Sequence, residues 1–437
     1  MDKKFLNRIL TSSFSVLLAA ALLVFAGGCT KPSEGPKDSG MMKAEANDQT
    51  NGGSGTEDGN KGDAVPSATA PEEKFVTEFF TSKMELLENL IEWYYMDKTT
   101  ADALQTGAYK GMLEALGDPY SCYYTAEEYS ALMESSNGVY CGIGSTVQQN
   151  INTMIMTIVK PFVGGPAYEA GMLPGDIIYK VDGKDVTGMD INSVVAMMKG
   201  EEGTKVTVTV IREGVDDPID MEITRRMVEV PTIEHEMLKN NIGYIQITEF
   251  DDVTVDQFKN AIKSLRAEGM QALVIDLRDN GGGLLTAVVD MLDYMLPKGM
   301  IVYTEDKYGA REEYRSTDDD VFELPLAVLI NGSSASASEI FAAAIQDYKL
   351  GTLVGTTSFG KGIVQSVFPL SDGTAVKLTV SKYYTPNGRS IHGTGVTPDI
   401  EVDLLDELKK KVVIEHDEDN QLQAALQYLL EGLKESK

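Results

Sequence analysis

The run NGSSASASEI (331–340) joins an apolar strand, LPLAVLI (324–330), to a helix, EIFAAAIQDY (339–348). A strand without polar positions is a buried strand. Small residues at its end let the chain turn sharply into a helix whose first amides lack partners within that helix. The same pattern recurs through the C-terminal half. NIGYIQITEF (241–250) and ALVIDLR (272–278) read as strands, and VDQFKNAIKSLRAEG (255–269) and AVVDMLDYML (287–296) as helices. Strands alternating with helices pack as layers, so this half is expected to form an α/β core from about Val230 onward.

The junction also has a chemical consequence. A serine at such a turn is exposed, and unpaired helix N-terminal amides can face a developing negative charge. A serine hydroxyl is a weak nucleophile and needs a base. The chain holds three histidines, His235, His392 and His416, none in an obvious partnership. Lys361, in the glycine-framed SFGKGIVQ (358–365), is the better base for Ser336. Lysine can serve when desolvation lowers its pKa toward neutrality, and serine with a lysine base is a recognised variant of the serine triad. Serine and alanine before a helix also serve as caps and close-packing residues, so this run alone leaves both uses open. The glycines of DNGGG (279–283) follow a buried strand and suit a tight turn, the close approach of a substrate backbone, or both.

Between Gly138 and Arg226 the reading changes to short strands and turns. TMIMTIVK (153–160) and TKVTVTVIRE (204–213) are strand-like, with GPAYEAGMLPGDIIYKVDGKDVTG (165–188) and a helical DINSVVAMMKG (190–200) between them. This order resembles a PDZ domain. Gly142, Ile143 and Gly144 stand where such a domain keeps its carboxylate-binding loop, in which successive glycines let backbone N–H groups converge on one anion. The alternative for this loop is a plain hairpin turn.

The remaining features bound the setting. A formal charge of −29 over 437 residues excludes nucleic acid as a partner and excludes broad electrostatic adhesion to an anionic membrane. At the N-terminus, Lys3, Lys4 and Arg8 precede the apolar FSVLLAAALLVFA (14–26), then Gly27, Gly28 and Cys29. This is a secretory pattern and resembles a lipoprotein box with Cys29 as the lipidated residue; an uncleaved anchor is the rival. Either places the folded part outside the cytoplasm. Residues 30–72 lack the apolar content for a core and read as a disordered tether spanning on the order of 35 Å. Phe75, Phe79, Leu86, Leu90 and Trp93 fall at near-helical spacing, and a second helix starts near Thr100. Cys122 and Cys141 either pair or stay as free thiols. Near the C-terminus, Leu422, Ala425, Leu426, Leu429 and Leu430 form a helical apolar stripe, suited to the chain's own core or to a homodimer contact shared with helix 75–95. No metal-ligand spacing is present, and no cofactor is implied.

Together, LGDPYSCYYT, the Gly-Ile-Gly loop, PAYEAGMLPGDIIYKVDGKDV, KGEEGTKVTVTVIR, DLRDNGGG, NGSSASASEI, FGKGIVQ and YYTPNGRSIHGTGVTPDI resemble, in order, the C-terminal processing peptidases, or tail-specific proteases. The similarity runs over roughly residues 75–402. It implies a layered crotonase- or ClpP-like α/β protease core with an inserted PDZ domain and helical ends. It assigns Ser336 as nucleophile, Lys361 as base, Gln365 as the lysine's partner, and the N–H groups of Ala337 and Gly282 as oxyanion donors. Gly281 stands where the family often has proline or serine, which leaves the donor glycine open. The implied partners are proteins or peptides with free, apolar C-termini. The expected organisation is 1–29 signal or anchor, 30–72 linker, 73–137 helical region, 138–226 PDZ domain, 227–402 protease core and 403–437 C-terminal helical segment. The rivals are a histidine-based protease with His392 or His235 as base, an inactive PDZ scaffold, and a crotonase-like acyl-CoA enzyme, for which an envelope protein has no evident CoA supply.

Overall fold

The computed structural model describes residues 75–317, 321–411 and 413–435. Cys29, the signal segment and the expected tether lie outside them. At the N-terminal side the predicted helices form at Glu78–Tyr94, capped by the Thr77 hydroxyl, and at Ala101–Glu114.

The core is a six-stranded sheet in the order Ile233–Leu238, Ile242–Ile247, Ala272–Asp276, Leu326–Ile330, Thr352–Gly355, Ile400–Glu401, with the first pair antiparallel and the others parallel. Its central strands explain why their sequences carry no polar alternation. Ile245, Ile247, Leu273, Ile275, Val328 and Ile330 face one side. There they meet Phe258 and Ile262 of the helix Thr254–Ala267, Val288 and Met291 of Leu285–Asp293, and Phe341 of Ala337–Asp347. Tyr244, Val274, Ala327 and Leu329 face the other side and meet Leu422, Ala425 and Leu429 of the C-terminal helix Asn420–Glu435. A sheet covered on both faces needs apolar residues at every position. The C-terminal stripe is therefore spent on the chain's own sheet, and the homodimer expectation loses the surface that motivated it. Arg278 locks this helix in place, binding both Asp276 and Asp419.

A second, antiparallel sheet of five strands carries Cys122–Tyr124, Ala375–Tyr384, Gly299–Asp306, Arg311–Ser316 and Ile363–Pro369. The hairpins that build it were not read from the sequence.

The strands Val139–Gly142 and Arg226–Glu229 pair antiparallel as the chain enters and leaves the inserted domain. This small ladder is the base of the insertion. The domain's own sheet places Ser145–Gln149 at an edge, and its separate core includes Ile143, Ile158, Val181, Val194 and Val208. Asp190 caps the helix Ile191–Met198, its carboxylate accepting from the Ser193 N–H.

Candidate active site

Ser336 sits between strand Leu326–Ile330 and helix Ala337–Asp347 with φ 56° and ψ −114°. A non-glycine residue there is strained by on the order of 1–3 kcal/mol, and such strain persists where its surroundings enforce it. The enforcing group is Glu339. Its carboxylate has no solvent exposure, and it accepts hydrogen bonds from the N–H groups of Ser336 at 2.9 Å, Gly360 at 2.7 Å and Lys361 at 2.8 Å. The Ser358 hydroxyl donates to it as well. One buried anion thus braces the serine turn to the lysine loop. A second brace is the buried Tyr383, whose hydroxyl lies 2.7 Å from the Lys361 carbonyl and 3.1 Å from that of Ser336. Burial, with the Glu339 charge beside it, raises the Tyr383 phenol well above its usual range. Ser336 and Lys361, 25 residues apart in the chain, are brought together by these contacts.

Gly282 lies against the serine. A Cβ on it would stand 2.7 Å from both the Ala335 oxygen and the Ser336 Cβ, and its φ of 106° favours glycine independently. Its N–H donates to the Asn280 side-chain oxygen at 2.8 Å. Asn280 is fully buried and held in turn by its amide on the Ile247 carbonyl. The expected oxyanion donor therefore lies against Ser336, the expected nucleophile, but is turned onto an internal acceptor. Ala337 opens the helix, where an N–H has no intrahelical partner.

Gln365 lies on the strand Ile363–Pro369, where the register shifts between Val364 and Gln365. Its amide donates to the Thr379 hydroxyl at 3.2 Å on the adjacent strand. His392 is exposed, but its backbone closes on Gly362, where a Cβ would come within 2.6 Å of it. His235 is exposed on its strand, and His416 lies against Tyr244. Neither is among the residues around Ser336.

In the inserted domain Gly142, Ile143 and Gly144 link the inbound strand to the edge strand Ser145–Gln149, with Gly144 at φ 73°. The loop holds an internal guest. The Tyr140 ring lies on Gly142, edge-on to Phe162 with centroids 6.5 Å apart, and the Lys199 ammonium sits 4.8 Å above it. The amides of Ser145 and Gly144 face the Tyr140 phenol oxygen, which burial pushes up to about 12. Beside it, the Ser145 hydroxyl is buried without a hydrogen-bond partner.

Residues 241–402 match peptidase family S41, residues 159–212 a PDZ domain, and residues 41–128 the N-terminal domain of the activating protease CtpB. The carboxy-terminal processing protease CtpA of Bacillus subtilis is 40% identical over 316 residues, 72% of this chain and 67% of that protein. The chain belongs to the carboxy-terminal processing proteases of family S41. The carboxy-terminal-processing protease of Bartonella bacilliformis is likewise 40% identical, over 68% of this chain and 69% of its own. Among solved structures, the photosystem II D1 C-terminal processing protease is 31% identical, covering 75% of this chain and 89% of that one, with a TM-score of 0.43. This S41 protease is a serine peptidase with a PDZ domain, and its substrates are peptides or proteins.

Several groups around the protease's serine were not singled out from sequence. Glu339 had a signal, since Ser-x-x-Glu before an apolar helix is a capping-box spacing. Tyr383 had none as a brace, because it reaches Ser336 from 47 residues away, and Asn280 lies inside the DNGGG run without its side chain having been marked. Cys122 and Cys141 are both half-buried and unpaired.

Proposed function

We propose that this protease is a membrane-tethered, extracytoplasmic endopeptidase that selects protein tails through its PDZ domain and cleaves with a Ser336–Lys361 dyad. The observation carrying this reading is the Glu339 brace, which spends a buried carboxylate on holding a strained serine against the lysine loop. Lys361 takes the Ser336 proton as the hydroxyl oxygen attacks the scissile carbonyl. The Ala337 amide and a DNGGG amide hold the oxyanion, and the lysine returns the proton to the leaving nitrogen as the C–N bond breaks. The alternative of an inactive scaffold has no reason to preserve strain at Ser336.

The Gly-Ile-Gly loop takes the tail's carboxylate, and the edge strand Ser145–Gln149 pairs with its backbone. Cys29, as a lipidated cysteine or the end of an anchor, keeps the enzyme on the outer side of the membrane. The test is incubation of the purified enzyme with an unfolded protein ending in a free apolar residue, alongside its C-terminally amidated form. The reading expects cleavage by wild type, none by Ser336→Ala, and slower cleavage of the amidated form. Equal activity in Ser336→Ala would overturn it.

A further inference from the structure

The turn Leu116–Ser121, far from the serine in sequence, ends beneath the lysine. The Lys361 ammonium lies 4.5 Å from the centroid of the Tyr120 ring, within cation–π range. Asp118 shapes this turn. Its carboxylate accepts from the Tyr120 N–H at 3.0 Å and from the Ser121 hydroxyl at 2.6 Å. The Thr379 hydroxyl also bonds to it. That same hydroxyl accepts from Gln365, and the Thr379 N–H donates to Ser121 at 3.0 Å. A continuous chain therefore runs from the Gln365 amide through Thr379 to the Asp118 carboxylate, which faces the Lys361 charge. Burial alone would raise Asp118, but the hydrogen bonds from Ser121, Thr379 and Tyr120, with the Lys361 charge, hold it below the usual carboxylate range.

Titratable groups on the neighbouring elements are engaged elsewhere or exposed. Glu339 is engaged by three backbone N–H groups and the Ser358 hydroxyl. Tyr383 spends its hydroxyl on carbonyls. His392 and Lys382 are exposed.

Resting on the Ser–Lys reading, we propose that Asp118 and Tyr120 form the berth for protonated Lys361, with Gln365 acting on the lysine through Thr379 and Asp118. The berth is occupied between the two chemical steps. Neutral Lys361 accepts the Ser336 proton as the C–O bond forms. The resulting ammonium rests over the Tyr120 ring, opposite Asp118, until its proton passes to the leaving nitrogen. Asp118 is a positioning residue in this scheme: it touches neither substrate nor nucleophile.

The sign of the effect follows. Asp118 favours charged lysine, whereas the base must start neutral. Asp118→Asn should therefore move the acid limb of kcat/KM to lower pH, by at least about half a unit. It should also lower the kcat plateau by about ten-fold or more, because the ammonium intermediate loses its counter-charge. Tyr120→Leu should act in the same directions, and Tyr120→Phe should recover most of what Tyr120→Leu loses, since the ring survives. Thr379→Val and Gln365→Ala should be non-additive, because they cut the same chain.

The measurement is the pH dependence of kcat and kcat/KM for the full enzyme and these variants on one peptide, with thermal unfolding to confirm folding. A folded Asp118→Asn or Tyr120→Leu enzyme whose plateau falls while the acid limb stays in place would overturn the berth and leave the dyad standing. Should Asp118→Asn fail to fold, the Tyr120→Phe and Tyr120→Leu pair decides on the same criterion. An active Lys361→Ala enzyme would instead remove the dyad itself.

Discussion

Two glycine loops in this protease, each proposed above to hold an anion with backbone N–H groups, are filled from within. At Ser336, Gly282 gives its N–H to Asn280. In the PDZ domain, the amides of Gly144 and Ser145 face the Tyr140 hydroxyl. The guests differ in how firmly they are held. Asn280 is fully buried, its amide fixed on Ile247 and its carbonyl accepting from Ala335 and Ser338. Tyr140 is half-buried and held mainly by its ring against Gly142, Phe162 and Lys199. A side-chain rotation can empty the PDZ loop. At the glycine loop by Ser336 the acceptor is fixed and the chain just after the Gly282 N–H is pinned, since the Phe250 N–H donates to the Gly282 carbonyl and the Phe250 carbonyl accepts from Leu284. The peripheral site is thus the easier to open, an order suited to an enzyme that engages a tail before it cuts.

Gly282→Ala breaks the catalytic half of this comparison and should have the largest effect. Its Cβ would collide with the Ala335 carbonyl and with Ser336, so kcat should fall by about a hundred-fold or more with little change in KM. Steady-state kinetics on one peptide checks this; a near-normal kcat would show that the loop is soft.

Glu339→Gln comes next. Loss of the buried charge that gathers three N–H groups should lower stability by about 2 kcal/mol or more and kcat by about ten-fold. Denaturant unfolding and activity should fall together. Lost stability with intact activity would separate the brace from the chemistry.

Tyr140→Phe sharpens the PDZ half. It keeps the ring and removes the oxygen, so a peptide with a free apolar C-terminus should bind about three- to ten-fold more tightly, by calorimetry, while its amidated form is unchanged. Weaker binding would make the phenol part of the recognition surface.

The smallest effect concerns pH. Burial raises Glu249 to about 8, with Asp251 adding to it, and raises Asp251 to about 7, with Asp252 adding to it. The folded state therefore holds protons that the unfolded chain has released, and the stability present at low pH is lost as pH rises through about 7–8. Both residues flank Phe250, which bonds to the catalytic glycine loop, and Asp251 packs on Gly138 at the base of the PDZ insertion. The melting temperature should drop between about pH 5 and 8 and level off above, and Asp251→Asn should flatten that slope. An unchanged slope would place the titration elsewhere.

Much of this was legible in the sequence, for physical reasons. Runs such as ALVID and LAVLI can only be strands buried on both faces, and the glycines of DNGGG announced a backbone crowded by its neighbours. Ser336 and Lys361 stood out through small residues and glycines that local geometry demands. The less legible parts act across distance. The antiparallel hairpins of the second sheet carry mixed patterns, with exposed positions on one face. Tyr383, Asn280 and Asp118 stand in the quoted runs YYTPNGRSIHGTGVTPDI, DLRDNGGG and LGDPYSCYYT, but they reach the site from 47, 56 and 218 residues away from Ser336, and no local spacing marks their roles. The C-terminal stripe showed that a helix packs on something; its amphipathic pattern is the same whether the partner is a second copy or the chain's own sheet.

The central claim is that Lys361, rather than a histidine, activates Ser336. Cleavage of an apolar-tailed peptide by Lys361→Ala and His392→Ala, each verified as folded, tests it most directly. The account predicts that Lys361→Ala is as inert as Ser336→Ala while His392→Ala retains activity. An active Lys361→Ala beside an inert His392→Ala would contradict it.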